Sequence, residues 1–173
     1  MQSTQDLLRE KRNVLITGGS GFIGSCLIRK LLKDSDINIY NLDKMGYASD
    51  NSSIEEVLSK TKVYERYKHF KTDLFNFSDV KDVIDQSNPD LIIHLAAESH
   101  VDKSIKNPRN FINSNIIGTF NLLQAALTHY ESLPNIRKSV FRMHHVSTDE
   151  VFGSLGNNGF FNEDSLYDPR SPY

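Results

Sequence analysis

Asn13-Val14-Leu15-Ile16-Thr17-Gly18-Gly19-Ser20-Gly21-Phe22-Ile23-Gly24 is an apolar, β-branched run that breaks into a glycine-rich turn. The amphipathic segment that follows extends to Lys33, so the expected order is strand, glycine turn, helix. The glycines parse as Gly19-x-Gly21-x-x-Gly24 or as Gly18-x-x-Gly21-x-x-Gly24, and the chemistry is similar in both. Glycine lets the backbone turn sharply and approach a pyrophosphate, and the helix N-terminus favours that negative charge. The last glycine lets helix and strand pack closely. Gly18, Gly21 and Gly24 are therefore candidate dinucleotide contacts.

Working outward, Ile37 to Leu42 reads as a second strand ending in Asp43, 19 residues beyond Gly24. At that interval a carboxylate can accept hydrogen bonds from an adenosine ribose, and it would repel a 2'-phosphate, favouring NAD over NADP. A strand-end aspartate capping the next loop is the plainer alternative, and Lys44 would partly offset the repulsion. Asp50 to Lys60 reads as a helix begun by an Asp-Asn-Ser-Ser cap. Tyr67 to Thr72 reads as a third strand leading to Asp73-Leu74, an end that would lie near an adenine. Asn76 to Gln86 is the next helix, with Asn88-Pro89-Asp90 as its turn.

Leu91 to Ala97 is almost continuously apolar, as expected of a central parallel strand covered on both faces. His94 within it is expected to be a satisfied core histidine. Ala96-Ala97-Glu98-Ser99-His100 follows, and its small residues leave room for a cofactor against the backbone. Asp102 to Tyr130 is helical in pattern, interrupted early by Pro108. Its apolar stripe, Phe111, Ile112, Ile116, Phe120, Leu123 and Leu127, is expected to be mainly core, with any excess width a candidate subunit contact. Ser139 to Val146 reads as the fifth strand. His144 and His145 fall on its opposite faces, so they cannot chelate together, and no metal site is expected.

Five strands alternating with helices predict an α/β domain with a parallel sheet in the order 3-2-1-4-5. Ligands of such sheets sit beyond the strands' carboxyl ends. Thr148, Asp149 and Glu150 emerge together at that edge after the fifth strand. Two adjacent carboxylates and a hydroxyl there could form a proton-transfer set, one acid kept protonated and one ionised. The plain alternative is a surface turn with a capping Thr-Asp and a solvated Glu. Gly153 to Tyr173 reads as a loop.

The chain has 173 residues, enough for one domain with a real core, and a net charge of -2. No basic cluster suggests nucleic acid as a partner. Met1 to Arg12 lacks the apolar centre of a signal peptide, and no stretch is apolar for the ~18 residues of a membrane span. A cytoplasmic protein is expected. The single cysteine, Cys26, is expected to pack as a small side chain on an apolar helix face.

Taken together these residues resemble the extended short-chain dehydrogenase/reductases, and within them the nucleotide-sugar 4,6-dehydratases. The match runs from Val14 to Tyr173. Its most specific parts are Leu95-Ala96-Ala97-Glu98-Ser99-His100-Val101-Asp102 and Ser147-Thr148-Asp149-Glu150-Val151, beside Asn115-Ile116-Ile117-Gly118-Thr119 and Ser171-Pro172-Tyr173. The resemblance implies a Rossmann-like doubly wound sheet and a reaction on dTDP-glucose with a tightly held NAD. Oxidation at C4, elimination of water across C5 and C6, and hydride return to C6 would give the 4-keto-6-deoxy sugar.

Carried over by residue, Tyr173 would remove the 4-hydroxyl proton and Thr148 would hydrogen-bond that oxygen. Asp149 would protonate the departing 6-hydroxyl and Glu150 would remove the C5 proton. Gly18, Gly21, Phe22, Ile23, Gly24, Asp43, Lys44, Met45, Gly46, Asp73, Leu74, Leu95, Ala96, Ala97, Glu98, Ser99, Ser114 and Tyr173 would line NAD. Ser99 would also face the sugar. Met45-Gly46 and Ala48-Ser49-Asp50 depart from the usual family residues.

The family's tyrosine belongs to a Tyr-x-x-x-Lys pair, and Tyr173 is the last residue here. Residues 1–173 are therefore expected to be an incomplete NAD-binding domain, the N-terminal portion of an enzyme that is a homodimer when whole. Alone, the chain is expected to be inactive and to bind NAD weakly if at all. Two rivals stand beside this reading: another NAD-dependent nucleotide-sugar epimerase or decarboxylase, with Asp149-Glu150 structural, and a non-catalytic nucleotide-binding module.

Overall fold

A computed structural model describes residues 13–156 and 158–173; Met1 to Arg12, the expected polar start, and Asn157 lie outside the described residues. Five parallel strands form one sheet in the order β3-β2-β1-β4-β5, as expected. They are β1 (Asn13–Thr17), β2 (Asn38–Asp43), β3 (Tyr67–Lys71), β4 (Leu91–His94) and β5 (Arg142–His145). The helices are α1 (Phe22–Asp34), α2 (Ser52–Thr61), α3 (Phe77–Ser87), α4 (Val101–Lys106), α5 (Pro108–Phe111), α6 (Gly118–Ser132) and α7 (Asn135–Val140).

Period-two alternation splits the central strand's side chains between two cores. Val14 and Ile16 join Ile28, Leu31 and Leu32 of α1 and Ile54, Val57 and Leu58 of α2. Leu15 joins Val80, Val83 and Ile84 of α3 and Leu122, Ala125 and Ala126 of α6 on the other face. The result is a three-layer helix–sheet–helix sandwich, with β1 at its centre. The strand order reverses between β1 and β4, which opens a crevice at their carboxyl ends.

Several expectations need correction. The fifth strand is shorter than Ser139 to Val146, because Ser139 and Val140 belong to α7 and Arg142 starts the sheet pairing. The helical pattern from Asp102 to Tyr130 is interrupted at Asn107-Pro108 as expected, since proline cannot continue the hydrogen-bond ladder, but it also passes through a π-helical stretch at Ile112–Ile117 before α6. Of its apolar stripe only Phe111 is buried, while Ile112, Ile116, Phe120, Leu123 and Leu127 are exposed. The face that α6 packs on the sheet is instead built from Leu122, Ala125 and Ala126, one step round the helix. Cys26 is exposed rather than packed, because α1 turns Ser25, Ile28, Leu31 and Leu32 inward.

Candidate active site

The glycine turn is shaped by close backbone approaches. Gly18 has φ +70°, and a Cβ there would lie 2.7 Å from the Ala96 backbone. Only glycine fits both the dihedral and the space. Gly18 N–H donates to the Leu42 carbonyl (2.8 Å), so the turn is pinned to the end of β2. At Gly24 an added Cβ would meet the Gly18 carbonyl and the Gly19 Cα, which keeps the first turn of α1 close to β1.

Asp43 ends β2 almost completely buried. Its Oδ2 accepts from Ser20 N–H (3.1 Å), and its Oδ1 accepts from Met45 N–H and the Ser49 hydroxyl, both at 2.8 Å. Beneath it the Asn41 amide donates to Ser20 Oγ and to the Tyr67 hydroxyl, each at 3.0 Å. Burial raises the Tyr67 pKa above its usual value and lowers that of neighbouring His69. The capping alternative of the sequence reading therefore describes the local geometry of Asp43.

On the β4 side, His94 is buried as expected and bridges three elements. Its Nδ1 pairs with Thr17 Oγ1 on β1 (2.6 Å) and its Nε2 with Thr119 Oγ1 on α6 (2.9 Å). Burial, reinforced by the His145 ring 4.9 Å away, lowers its pKa to about 4. The loop after β4 is held by Asn115, whose side chain accepts from Glu98 N–H and donates to Glu98 O, both at 2.8 Å. Asn115 sits in the π-helical stretch, whose wider turn offers its amide to the loop backbone. Across the crevice Lys44 Nζ meets Glu98 Oε1 at 2.8 Å.

These parts enclose a cleft of about 440 Å³ at the carboxyl edge of the sheet. That is within the range of small-molecule sites. It is lined by Gly18, Gly21, Phe22, Ile23, Gly24, Asp43, Lys44, Gly46, Asp73, Leu74, Leu95, Ala96, Ala97, Glu98, Ser99, Ser114 and Tyr173. Of the expected set, Met45 does not line the cleft; its positive φ of 61° turns it toward Asn51, whose amide lies 3.7 Å from its sulfur.

Thr148, Asp149 and Glu150 do not line it either, although Ser147 does. Thr148 caps a 3-10 turn at Asp149–Phe152, its hydroxyl accepting from Glu150 N–H (3.2 Å), and both carboxylates are exposed. The turn alternative therefore describes their local geometry. Tyr173 is brought back to the cleft from the far end of the tail, with its ring packed edge-on to Phe111 at 6.3 Å. The tail is irregular as expected but anchored, with Asp168 N–H donating to Val151 O (3.0 Å) and Tyr167 stacked on Phe152.

The sequence reading missed Leu42, Tyr47, Ala48, Ser49, Thr72, Val146 and Ser147 as lining residues. Each is within four residues of one it singled out, so adjacency to a strand end was the available signal.

A model of the family described as GDP-mannose 4,6 dehydratase matches residues 15–173. The chain belongs to that family. It is 41% identical over 164 residues to the dTDP-glucose 4,6-dehydratase of Neisseria gonorrhoeae, a match covering 94% of this chain and 46% of that relative. Among solved structures it is similar to the dTDP-glucose 4,6-dehydratase of Bacillus anthracis in complex with NAD (TM-score 0.74, 31% identity, 93% of this chain and 45% of that one). It is also similar to that of Streptomyces venezuelae with NAD bound (TM-score 0.76, 34% identity, 92% and 46%). The chain thus spans about half the length of the dehydratases it matches. The expected fold and family resemblance hold.

Proposed function

We propose that the chain is the cofactor-holding part of an NAD-dependent 4,6-dehydratase acting on dTDP-glucose. One observation carries this reading: the cleft at the strand-order reversal joins the glycine turn, the buried Asp43, Ser99 and Tyr173. Gly18 and Gly24 allow the close backbone approach a pyrophosphate needs, and Asp43 stands where an adenosine ribose would meet the end of β2. When bound, NAD supplies hydride acceptance and return.

The chain's own residues do the rest. Tyr173 takes the proton from the 4-hydroxyl, Thr148 hydrogen-bonds the same oxygen, and Ser99 faces the sugar. Asp149 protonates the departing 6-hydroxyl while Glu150 takes the C5 proton. Oxidation alone needs no acidic pair, whereas elimination does. The two carboxylates are exposed in this chain, so the reading assigns their desolvation to bound substrate and to the half of the relatives' length that lies beyond the match. On this reading residues 1–173 alone are inactive and the whole protein is a homodimer.

The test pairs two assays. The whole protein incubated with dTDP-glucose should form the 4-keto-6-deoxy product, and residues 1–173 alone should not. Turnover of UDP-sugars with none of dTDP-glucose would transfer the assignment to an epimerase, and loss of all turnover with intact nucleotide binding would favour the non-catalytic module.

A further inference from the structure

Asp43 is more heavily engaged than a ribose acceptor needs to be. A carboxylate offers about four lone-pair sites, and Ser20 N–H, Met45 N–H and the Ser49 hydroxyl already occupy three of them. The first two donors are backbone groups fixed by the glycine turn and by the left-handed Met45. The third is a hydroxyl on a freely rotating bond, and Ser49 lines the same cleft as Asp43. An alcohol 2.8 Å from Oδ1 makes the contact that a ribose hydroxyl would make. Both Ser49 Oγ and Met45 N–H converge on that one oxygen, so a third donor there would exceed its usual pair of acceptor sites.

We infer that Ser49 is an affinity-determining residue of the adenosine subsite, its hydroxyl competing with the ribose hydroxyls for Asp43 Oδ1. The inference rests on the dinucleotide reading of the cleft and deepens it. The ribose enters by rotating Ser49 away, and the nucleotide binds more weakly by the strength of the displaced hydrogen bond. Small residues at position 49 leave Oδ1 half free and bind adenosine ribose more tightly. The loop is anchored independently through Asp50 N–H to the Ser20 carbonyl (2.8 Å), so removing the Ser49 hydroxyl leaves the turn in place.

The experiment is a ligand-observed NMR titration of the whole protein and of its Ser49→Ala variant with adenosine monophosphate and with its 2',3'-dideoxy analogue. Ser49→Ala should bind adenosine monophosphate about fivefold more tightly, a typical net worth of one hydrogen bond. The dideoxy analogue, which has no hydroxyl to offer, should bind both proteins equally. Unchanged or weakened adenosine monophosphate binding in Ser49→Ala, or an equal gain for both ligands, would overturn the competition while leaving the nucleotide site standing. Absence of binding of either ligand to either protein would remove the nucleotide site itself, and the inference with it.

Discussion

The loops after β2 and after β5 reach the same edge of the sheet in opposite conditions. Asp43, at the end of β2, is buried and accepts three hydrogen bonds from its own chain before any ligand arrives. Asp149 and Glu150, beyond β5, are exposed in a 3-10 turn that Thr148 caps and the tail anchors through Val151. β2 lies between two strands whereas β5 is an edge, and its residues are mostly exposed. A carboxylate that caps its own chain is buried beside interior strands, while two carboxylates that follow an edge strand are left without such cover. The β2 side of the cleft is preorganised, whereas the acidic pair proposed for elimination lies exposed beyond β5.

The contrast can be broken most forcefully at Gly18. Alanine there must adopt φ +70° and push into the Ala96 backbone, neither of which can relax cheaply. The expected loss exceeds about 4 kcal/mol in urea denaturation, a size that marks a backbone clash. A smaller loss would mean the glycine turn is not held against β4. Asp43→Ala comes next, at about 3 kcal/mol, because it leaves buried donors without an acceptor. Adenosine monophosphate binding should vanish with it, and an unaltered denaturation midpoint would show that Asp43 holds nothing together.

Acid should also weaken the preorganised half, through His94. Its folded pKa of about 4 lies below the ordinary 6.5, so the unfolded chain takes up the proton first. Stability from this group is fully present above pH 6.5 and is lost as pH falls toward 4, about 3 kcal/mol in all. His94→Gln should flatten that part of the profile. An unchanged slope in the variant would assign the acid sensitivity elsewhere.

The smallest effect is expected on the other side. Asp149→Asn with Glu150→Gln should alter the stability of the chain by less than about 0.5 kcal/mol, as exposed substitutions do. In the whole protein the same pair of changes should slow elimination more than the first hydride transfer, as seen in single-turnover traces of cofactor absorbance. Equal slowing of both would detach the pair from the elimination step.

Much of this was readable along the chain. The glycine spacing, the interval to Asp43 and the apolar runs of β1 and β4 reflect short-range rules of backbone and pleat, and the sheet order came out as expected. The apolar stripe on α6 misled, because helical periodicity reports which residues share a face and says nothing of whether that face meets the sheet. Ser139 and Val140 misled similarly, since a β-favouring dipeptide was drawn into the last turn of α7. Ser49 had no motif to announce it, and the motif that holds Asn115 did not say what its amide would meet; a serine's hydroxyl and an asparagine's amide gain meaning from what folding sets opposite them.

Strand order follows from local chemistry that repeats at fixed intervals, and the family from motifs whose resemblance is plain in the residues themselves. How committed Asp43 is, where Tyr173 lands, and whether Asp149 and Glu150 meet solvent depend on contacts between segments distant in the chain. Tyr173 packs against Phe111, 62 positions away along the chain. Burial and hydrogen-bond saturation arise when such segments close on one another, and no interval in the sequence encodes them separately.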